Sequence, residues 1–306
     1  MNTTTMSSPA IEQFAGKGAA RAARRRGARM ESGQRKPGLR SYLVLVIVLL
    51  VSVAPLYYAF LLASSTATSI AQHAIPSLVP EGHLLENIRR VMNSDIGIWQ
   101  AFRNSLVVAV LTSLSVMFFS TLAGFAFAKL RFRGKGFLLA FIIGTMAIPS
   151  QLGIIPLFIV MAKLGWTGKL SAVIVPAMVS AFGVFWMTQY LQEALPYELI
   201  EAARVDGCNM ARSFWHVALP AARPAAAMLG LFTFVGSWTS FFWPFIVLGS
   251  ANPTLPVALQ LLQASYFKDM ALIMAGVLLA TLPLVLVFLF AGRQLVSGIM
   301  QGAVKG

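Results

Sequence analysis

Residues 191–223 read LQEALPYELIEAARVDGCNMARSFWHVALPAAR. Pro196 suits the first turn of a helix, where its missing N–H leaves no bond unmade. Glu198 and Glu201 fall near the positive end of the dipole of such a helix. Leu199, Ala202 and Ala203 recur at i, i+3 and i+4 and make one small apolar face. Gly207 follows, a residue able to take the left-handed conformation that ends a helix. Asn209 can cap a second short helix, expected to stop before Pro220. The residues alone allow two readings of this helix–glycine–helix element. It either docks in a groove of a partner protein or merely links its neighbours along a membrane surface.

Its neighbours on both sides are long apolar stretches. Intervals without Asp, Glu, Lys or Arg run over 41–80, 104–128, 136–162, 170–192, 224–267 and 270–292. A helix crossing hydrocarbon needs about 20 apolar residues. Two intervals are long enough for two crossings. However, 64–80 (SSTATSIAQHAIPSLVP) is polar and proline-bearing, and 249–267 (GSANPTLPVALQLLQASYF) holds two prolines, an Asn and two Gln. Six spans result, at about 41–63, 105–128, 137–161, 170–190, 224–248 and 270–292.

Basic residues orient these spans. Nine precede the first: Lys17, Arg21, Arg24, Arg25, Arg26, Arg29, Arg35, Lys36 and Arg40. On the same side fall Lys129, Arg131, Arg133 and Lys135, then Arg204, Arg212 and Arg223 in the 191–223 loop, then Arg293 and Lys305. The opposite side holds only Arg89, Arg90, Arg103, Lys163, Lys169 and Lys268. Basic residues are retained on the cytoplasmic side, so both termini and the 191–223 loop are cytoplasmic. Residues 1–38, rich in Ala, Gly, Ser and Arg without apolar periodicity, read as a disordered basic cytoplasmic arm, followed by one six-span domain over 39–306.

The composition excludes several classes. The chain is 58% hydrophobic and only 11% charged, with a mean hydropathy of +0.75. A soluble domain carries about 25% charged residues, so the apolar excess faces lipid and the chain is an integral membrane protein. The net charge of +14, with nine of its basic residues ahead of the first span, is read as topology-setting charge and not as a sign of nucleic-acid binding. With Cys208 alone no intrachain disulfide forms, and His73, His83 and His216 are too scattered for a metal site. No Asp, Glu, Lys, Arg or His lies in the spans, which argues against an ion-coupled carrier, since such carriers usually keep an ionisable residue there. The Gly-Lys pairs at 16–17, 134–135 and 168–169 lack a following Ser or Thr, so no phosphate-binding P-loop is present and any ATP hydrolysis belongs to another polypeptide.

Glu201-Ala202-Ala203, three residues, Gly207, nine residues, Val217, Ala218 and Leu219-Pro220 resemble the EAA loop of permeases from binding-protein-dependent ABC importers. The one departure is Val217, where the family pattern has Ile. The resemblance covers about 84–306 through FRNSLVVAV, LAGFAFAKLRFRGKG, AIPSQLGIIPLF, ELIEAARVDG, WTSFFWPFIVL, NPTLPVALQ and the tail GIMQGAVKG. It is nearest the carbohydrate-uptake branch, and within it the smaller six-span permease of the maltose-transporter type. The resemblance implies an all-α transmembrane fold in the bacterial plasma membrane. It implies an ATP-driven sugar importer assembled with a second permease, two ATPase subunits and an extracytoplasmic sugar-binding protein. ATP and Mg would sit on the ATPase subunits, with no cofactor and no catalysis on this chain. Glu201, Ala202, Ala203, Asp206, Gly207, Leu219 and Pro220 would form the surface that couples to the ATPase, and the tail would reach into the ATPase interface. A non-sugar solute such as a glycerophosphate ester is the alternative within the family, and an ion-coupled carrier the alternative outside it.

Sugars are held by aromatic faces and hydrogen bonds, so the path candidates are Gln151, Trp186, Ser237, Trp238 and Trp243, with Gln189, Thr239 and Ser240 beside them. The competing reading is Trp at membrane interfaces and Ser/Thr joining helix pairs. Pro149, Pro156, Pro176, Pro244 and Pro283 are read as static kinks in preference to hinges. Outside the membrane, residues 84–90 are expected to form a short helix.

Overall fold

The computed structural model describes residues 38–73, 77–266 and 268–303, with side chains described through 290. The predicted arm and the GIMQGAVKG tail therefore fall outside what is described, except for Gly38 and backbone to 303. The elements are α1 (Leu39–Ala63), α2 (Ala67–Gln72), α3 (Leu84–Met92), α4 (Ile98–Lys129), α5 (Lys135–Thr145), α6 (Ile154–Lys163), α7 (Ser171–Ile174), α8 (Ala181–Ala194), α9 (Tyr197–Val205), α10 (Met210–Ser213), α11 (Leu219–Trp238), α12 (Phe242–Leu248), α13 (Leu255–Ser265) and α14 (Met270–Ala303). No strand occurs among the described residues. Five helical stretches are long and apolar enough to cross a membrane, or six when the bent pair formed by α5 and α6 is taken as one span.

Two compact units divide the chain, Met1–Tyr58 and Ala59–Gly306. In the first, α1 is exposed on every side from Leu39 to Tyr58, with Leu45, Leu50 and Val51 all more than 60% accessible. A helix apolar all round has hydrocarbon as its solvent.

The second unit is built around α4, α8 and α11. Lipid is as apolar as leucine, so these helices gain little from hiding apolar surface and hold together by close packing. Glycines allow it. A Cβ on Gly124 of α4 would stand 2.6 Å from Met187 Cβ and 2.8 Å from the Met187 carbonyl carbon on α8. Gly183 of α8 faces Ser120 and Leu229 in the same manner, and Gly230 of α11 faces Met117. Val116, Phe125, Met187, Leu191 and Leu229 fill the centre of this trio.

Four expected spans differ from the helices found. The second begins at Ile98, because Gly97 in the left-handed region (φ +68°) starts the helix seven residues before the apolar interval. The third is not continuous over 137–161. It turns by 90° between α5 and α6 at Met146–Pro149, where Pro149 cannot donate a helical hydrogen bond and disfavours helix in the residue before it. The fourth is interrupted after Ala177, and Ser180 restarts it by accepting a hydrogen bond from the Gly183 N–H (3.2 Å). The fifth ends at Trp238, and 242–248 forms the separate α12. Pro176 has no N–H for the Ala172 carbonyl four residues back. The Trp243 indole N–H donates to that carbonyl instead (3.0 Å), so the acceptor freed by the proline is re-satisfied.

The extracytoplasmic end is stitched by side chains. Asn252 Oδ1 accepts from Asn104 Nδ2 (2.7 Å) and Gln100 Nε2 (3.1 Å), and Asn252 Nδ2 donates to the Gly168 carbonyl (3.0 Å). Ser105 Oγ accepts from the Leu255 N–H (2.7 Å). Asn87 on α3 donates to the carbonyls of Ala63 and Ser65, each at 2.9 Å, and Arg90 pairs with Asp269 at 2.6 Å. Glu81 accepts from Ser69 Oγ (2.6 Å) and from the Thr66 N–H (3.3 Å), and the Ser69 bond foremost holds its carboxyl below the ordinary value.

Candidate coupling surface

The 191–223 segment forms two helical pieces joined at glycine. Pro196 caps α9, and Asp206 closes it. Gly207 adopts φ +78°; its N–H bonds the Arg204 carbonyl (3.0 Å), and the Cys208 N–H bonds the Ala203 carbonyl (2.8 Å). That pairing is the Schellman closure of a helix end, which needs a residue at ease in the left-handed region. Asn209 Oδ1 then accepts from the Arg212 N–H (2.9 Å) and starts α10.

The second piece does not stop before Pro220, contrary to expectation. It runs without a break from Met210 to Trp238, through a π turn at Phe214–Ala218 into α11. The Leu219 N–H reaches back to the Phe214 carbonyl across the wider turn, which makes room for a proline ring at 220. The cytoplasmic loop is thus welded to the fifth span.

The inner face of α9 also departs from the expected one. Ile200 (1% exposed) and Ala203 turn inward, and Ile200 joins Leu195, Phe214, Ala218 and Leu191 in the core shared by α8 and α11. Leu199 is half exposed and Val205 is 88% exposed, and Glu198, Glu201 and Ala202 are also exposed. Leu199, Ala202 and Ala203 therefore do not share one face. The outward surface is Glu198, Leu199, Glu201, Ala202 and Val205, with Asp206 and Gly207 at its end. Among the coupling candidates, Ala203 is buried, Leu219 is half-buried against the core, and Glu201, Ala202, Asp206, Gly207 and Pro220 are exposed.

One anchor lies outside the motif. Tyr197, the first residue of α9, donates its hydroxyl to the Lys129 carbonyl at the end of α4 (2.6 Å). Lys129 Nζ and the Arg131 guanidinium each lie 5.7 Å from the Tyr197 ring centre, and Lys129 Nζ donates to the Gln192 carbonyl (3.3 Å). The sequence marks Lys129 and Arg131 only as topology-setting charge, and no local signal reports a contact 68 residues away.

The path candidates separate. Trp238 is only 2% exposed; its indole N–H donates to the Ala280 carbonyl (3.0 Å), and its ring stacks on Phe234. It is a packing residue here, as an indole whose N–H finds a partner in a neighbouring helix is free to be buried. Trp243 is likewise committed, to Ala172. Gln151 is exposed at the 90° bend, and Gln189 is exposed on α8. Ser237 and Ser240 are half-buried, and the Thr239 hydroxyl is occupied by the Val235 carbonyl (2.8 Å). Trp186 is half-buried and its indole N–H, shielded from solvent, has no hydrogen-bond partner among the described residues. No three of His, Cys, Asp and Glu gather as a metal site among the described residues.

A helical chain with five or six candidate spans, a broken third span and a helix anchored between two of them has the build of a multi-pass membrane protein. Comparison with known proteins gives the family. The chain belongs to the binding-protein-dependent transport system inner membrane components, whose family profile matches residues 120–297. It is 31% identical, over 84% of its own length and 92% of the relative's, to the arabinooligosaccharides transport system permease protein AraQ of Halalkalibacterium halodurans. It is 29% identical, over 86% and 96%, to the sn-glycerol-3-phosphate transport system permease protein UgpE of Brucella abortus. In fold it matches a chain of a bacterial ABC transporter involved in the import of the acidic polysaccharide alginate (TM-score 0.70, 20% identity, 95% and 99% of the two chains).

Proposed function

We propose that this chain is one of two permease subunits of an ATP-driven sugar importer, and that α9 transmits the ATPase stroke to the spans. The carrying observation is the division of α9 into two faces. Its inner side is locked to α4, α8 and α11 by Ile200 and Tyr197, so that a push on the helix moves the bundle and not the loop alone. Its outer side offers Glu198, Leu199, Glu201, Ala202 and Val205 to a partner. In this reading Glu201, Ala202, Asp206 and Gly207 dock in a cleft of the ATPase subunit. Ala203, Leu219 and Pro220 hold the element in register. ATP and Mg bind to two partner subunits, and an extracytoplasmic binding protein delivers the solute. Gln151, Trp186 and Ser237 remain the residues offered to the path, and the chain itself performs no catalysis.

Sugar as substrate is favoured by the arabinooligosaccharide permease at 31% identity, and a glycerophosphate ester by the relative at 29%. Purification of the complex in mild detergent tests both levels. A second permease and an ATPase should accompany the chain, and the binding protein obtained with them should bind an oligosaccharide. Binding of sn-glycerol 3-phosphate instead would move the substrate to the second reading. A chain that purifies without any ATPase, even after cross-linking, contradicts the importer.

A further inference from the structure

Two adjoining hollows lie where α4 meets the cytoplasmic surface. The first, about 550 Å³, is an apolar groove walled by Phe118, Leu122, Phe125, Met210, Phe214 and Trp215. The second, about 360 Å³, is lined by Leu130, Arg131, Phe132, Tyr197, Glu201 and Arg204. Leu130 belongs to both walls, and Arg204 Nη2 sits 4.0 Å from Met210 Sδ, so the charged hollow borders the apolar one. Among the described residues, neither Arg131 nor Arg204 forms an ion pair with a carboxylate. The Arg131 guanidinium is held over the Tyr197 ring. Glu201 contributes one negative charge to the same hollow, and Lys129 and Arg133 flank Arg131 in sequence.

We propose that the pair of hollows binds one anionic phospholipid of the cytoplasmic leaflet, with an acyl chain in the groove and the phosphodiester between Arg131 and Arg204. The chemistry is that of an amphiphile. An apolar trough at membrane depth suits hydrocarbon, and its half-exposed Trp215 has the amphipathic ring that settles at headgroup level. A phosphodiester takes paired N–H donors from a guanidinium. Basic hollows between spans on the cytoplasmic side attract anionic headgroups. A wholly apolar occupant would leave both arginines unpaired, and a soluble anion would leave the aromatic trough unfilled. The bound phosphodiester would touch Arg204 on α9, on the side of the hollow away from the Glu201 carboxylate. This inference concerns the chain alone and stands or falls apart from the importer reading.

The test is native mass spectrometry of the full-length chain released from detergent after equilibration with phosphatidylglycerol or phosphatidylcholine. The wild type should retain phosphatidylglycerol on the order of tenfold better. The exposed double substitution Arg131→Gln/Arg204→Gln should bring the two lipids to equal retention, and Arg131→Lys/Arg204→Lys should restore part of the preference. Ala211→Phe, which fills the groove, should lower retention of both lipids. Equal retention by the wild type, or a preference that survives in the double Gln variant, overturns the proposal. So does displacement by millimolar inorganic phosphate with no effect of Ala211→Phe, which would mark a small-anion site. A benzophenone side chain at position 215 in native membranes decides against a protein occupant. A lipid adduct supports the proposal, and an adduct with a polypeptide contradicts it.

Discussion

The two ends of the molecule treat their polar groups in opposite ways. At the extracytoplasmic end Asn252, Asn104, Ser105, Asn87, Arg90 and Asp269 are spent on one another and on backbone groups, mostly across more than 140 residues of sequence. At the cytoplasmic end Glu198, Glu201, Asp206, Arg131 and Arg204 form no ion pair among the described residues, and an apolar core around Ile200 and Phe214 holds the loop in place. A polar group satisfied inside the chain fixes geometry, whereas one left at the surface is available to another molecule. The outer end therefore reads as a rigid frame and the inner end as a contact surface on a firm base.

The sharpest way to break this contrast is at Gly207. Proline there requires φ near −65° where the helix closure needs +78°, and it removes the N–H that bonds Arg204. Gly207→Pro should abolish solute uptake while membrane insertion, followed by immunoblot of membrane fractions, is unchanged. Glu201→Lys should do the same by reversing charge on the exposed face. Between the two ends, Gly124→Val would drive a side chain into the Met187 backbone and should destabilise the bundle by about 3 kcal/mol, read as a fall in thermostability in detergent. Gly230→Ala should cost less, because its neighbour is the flexible end of Met117.

At the frame end, Asn252→Ala removes three hydrogen bonds and should lower stability by about 2 kcal/mol without changing the ratio of ATP hydrolysed to solute moved. At the contact end, Tyr197→Phe removes a single bond to Lys129, about 1 kcal/mol. Stability falls by about half as much as for Asn252→Ala, but the ATP-to-solute ratio rises as α9 loosens. If both substitutions altered coupling equally, the division of labour would be wrong.

Much of this was legible in the sequence where the cause is local. Gly207 and Asn209 announce a helix end and a cap through their own backbone and side-chain preferences, and both take those roles. That apolar helices occupy the charge-free intervals follows from their length, but the breaks and ends of those helices do not. The 90° turn after Thr145 was hidden because hydropathy stays high across it, and Pro149 alone does not state an angle. The inward face of α9 was misread because Leu199, Ile200, Ala202, Ala203 and Val205 are all apolar, so periodicity does not choose among them. The chain's continuation through Pro220 depends on a π turn that no residue type specifies. Trp238 and Trp243 looked suited to a solute because their partners, carbonyls on α14 and α7, lie 42 and 71 residues away.

The central claim is that the outward face of α9 meets an ATPase subunit. A photo-cross-linking benzophenone at Val205, the most exposed apolar position of that helix, tests it in cells carrying out uptake. The account predicts a light-dependent adduct with a P-loop ATPase at Val205, and none from the same probe at Leu85 on the outer helix α3. Absence of an ATPase adduct at both Val205 and Ala202, with uptake intact, would contradict it.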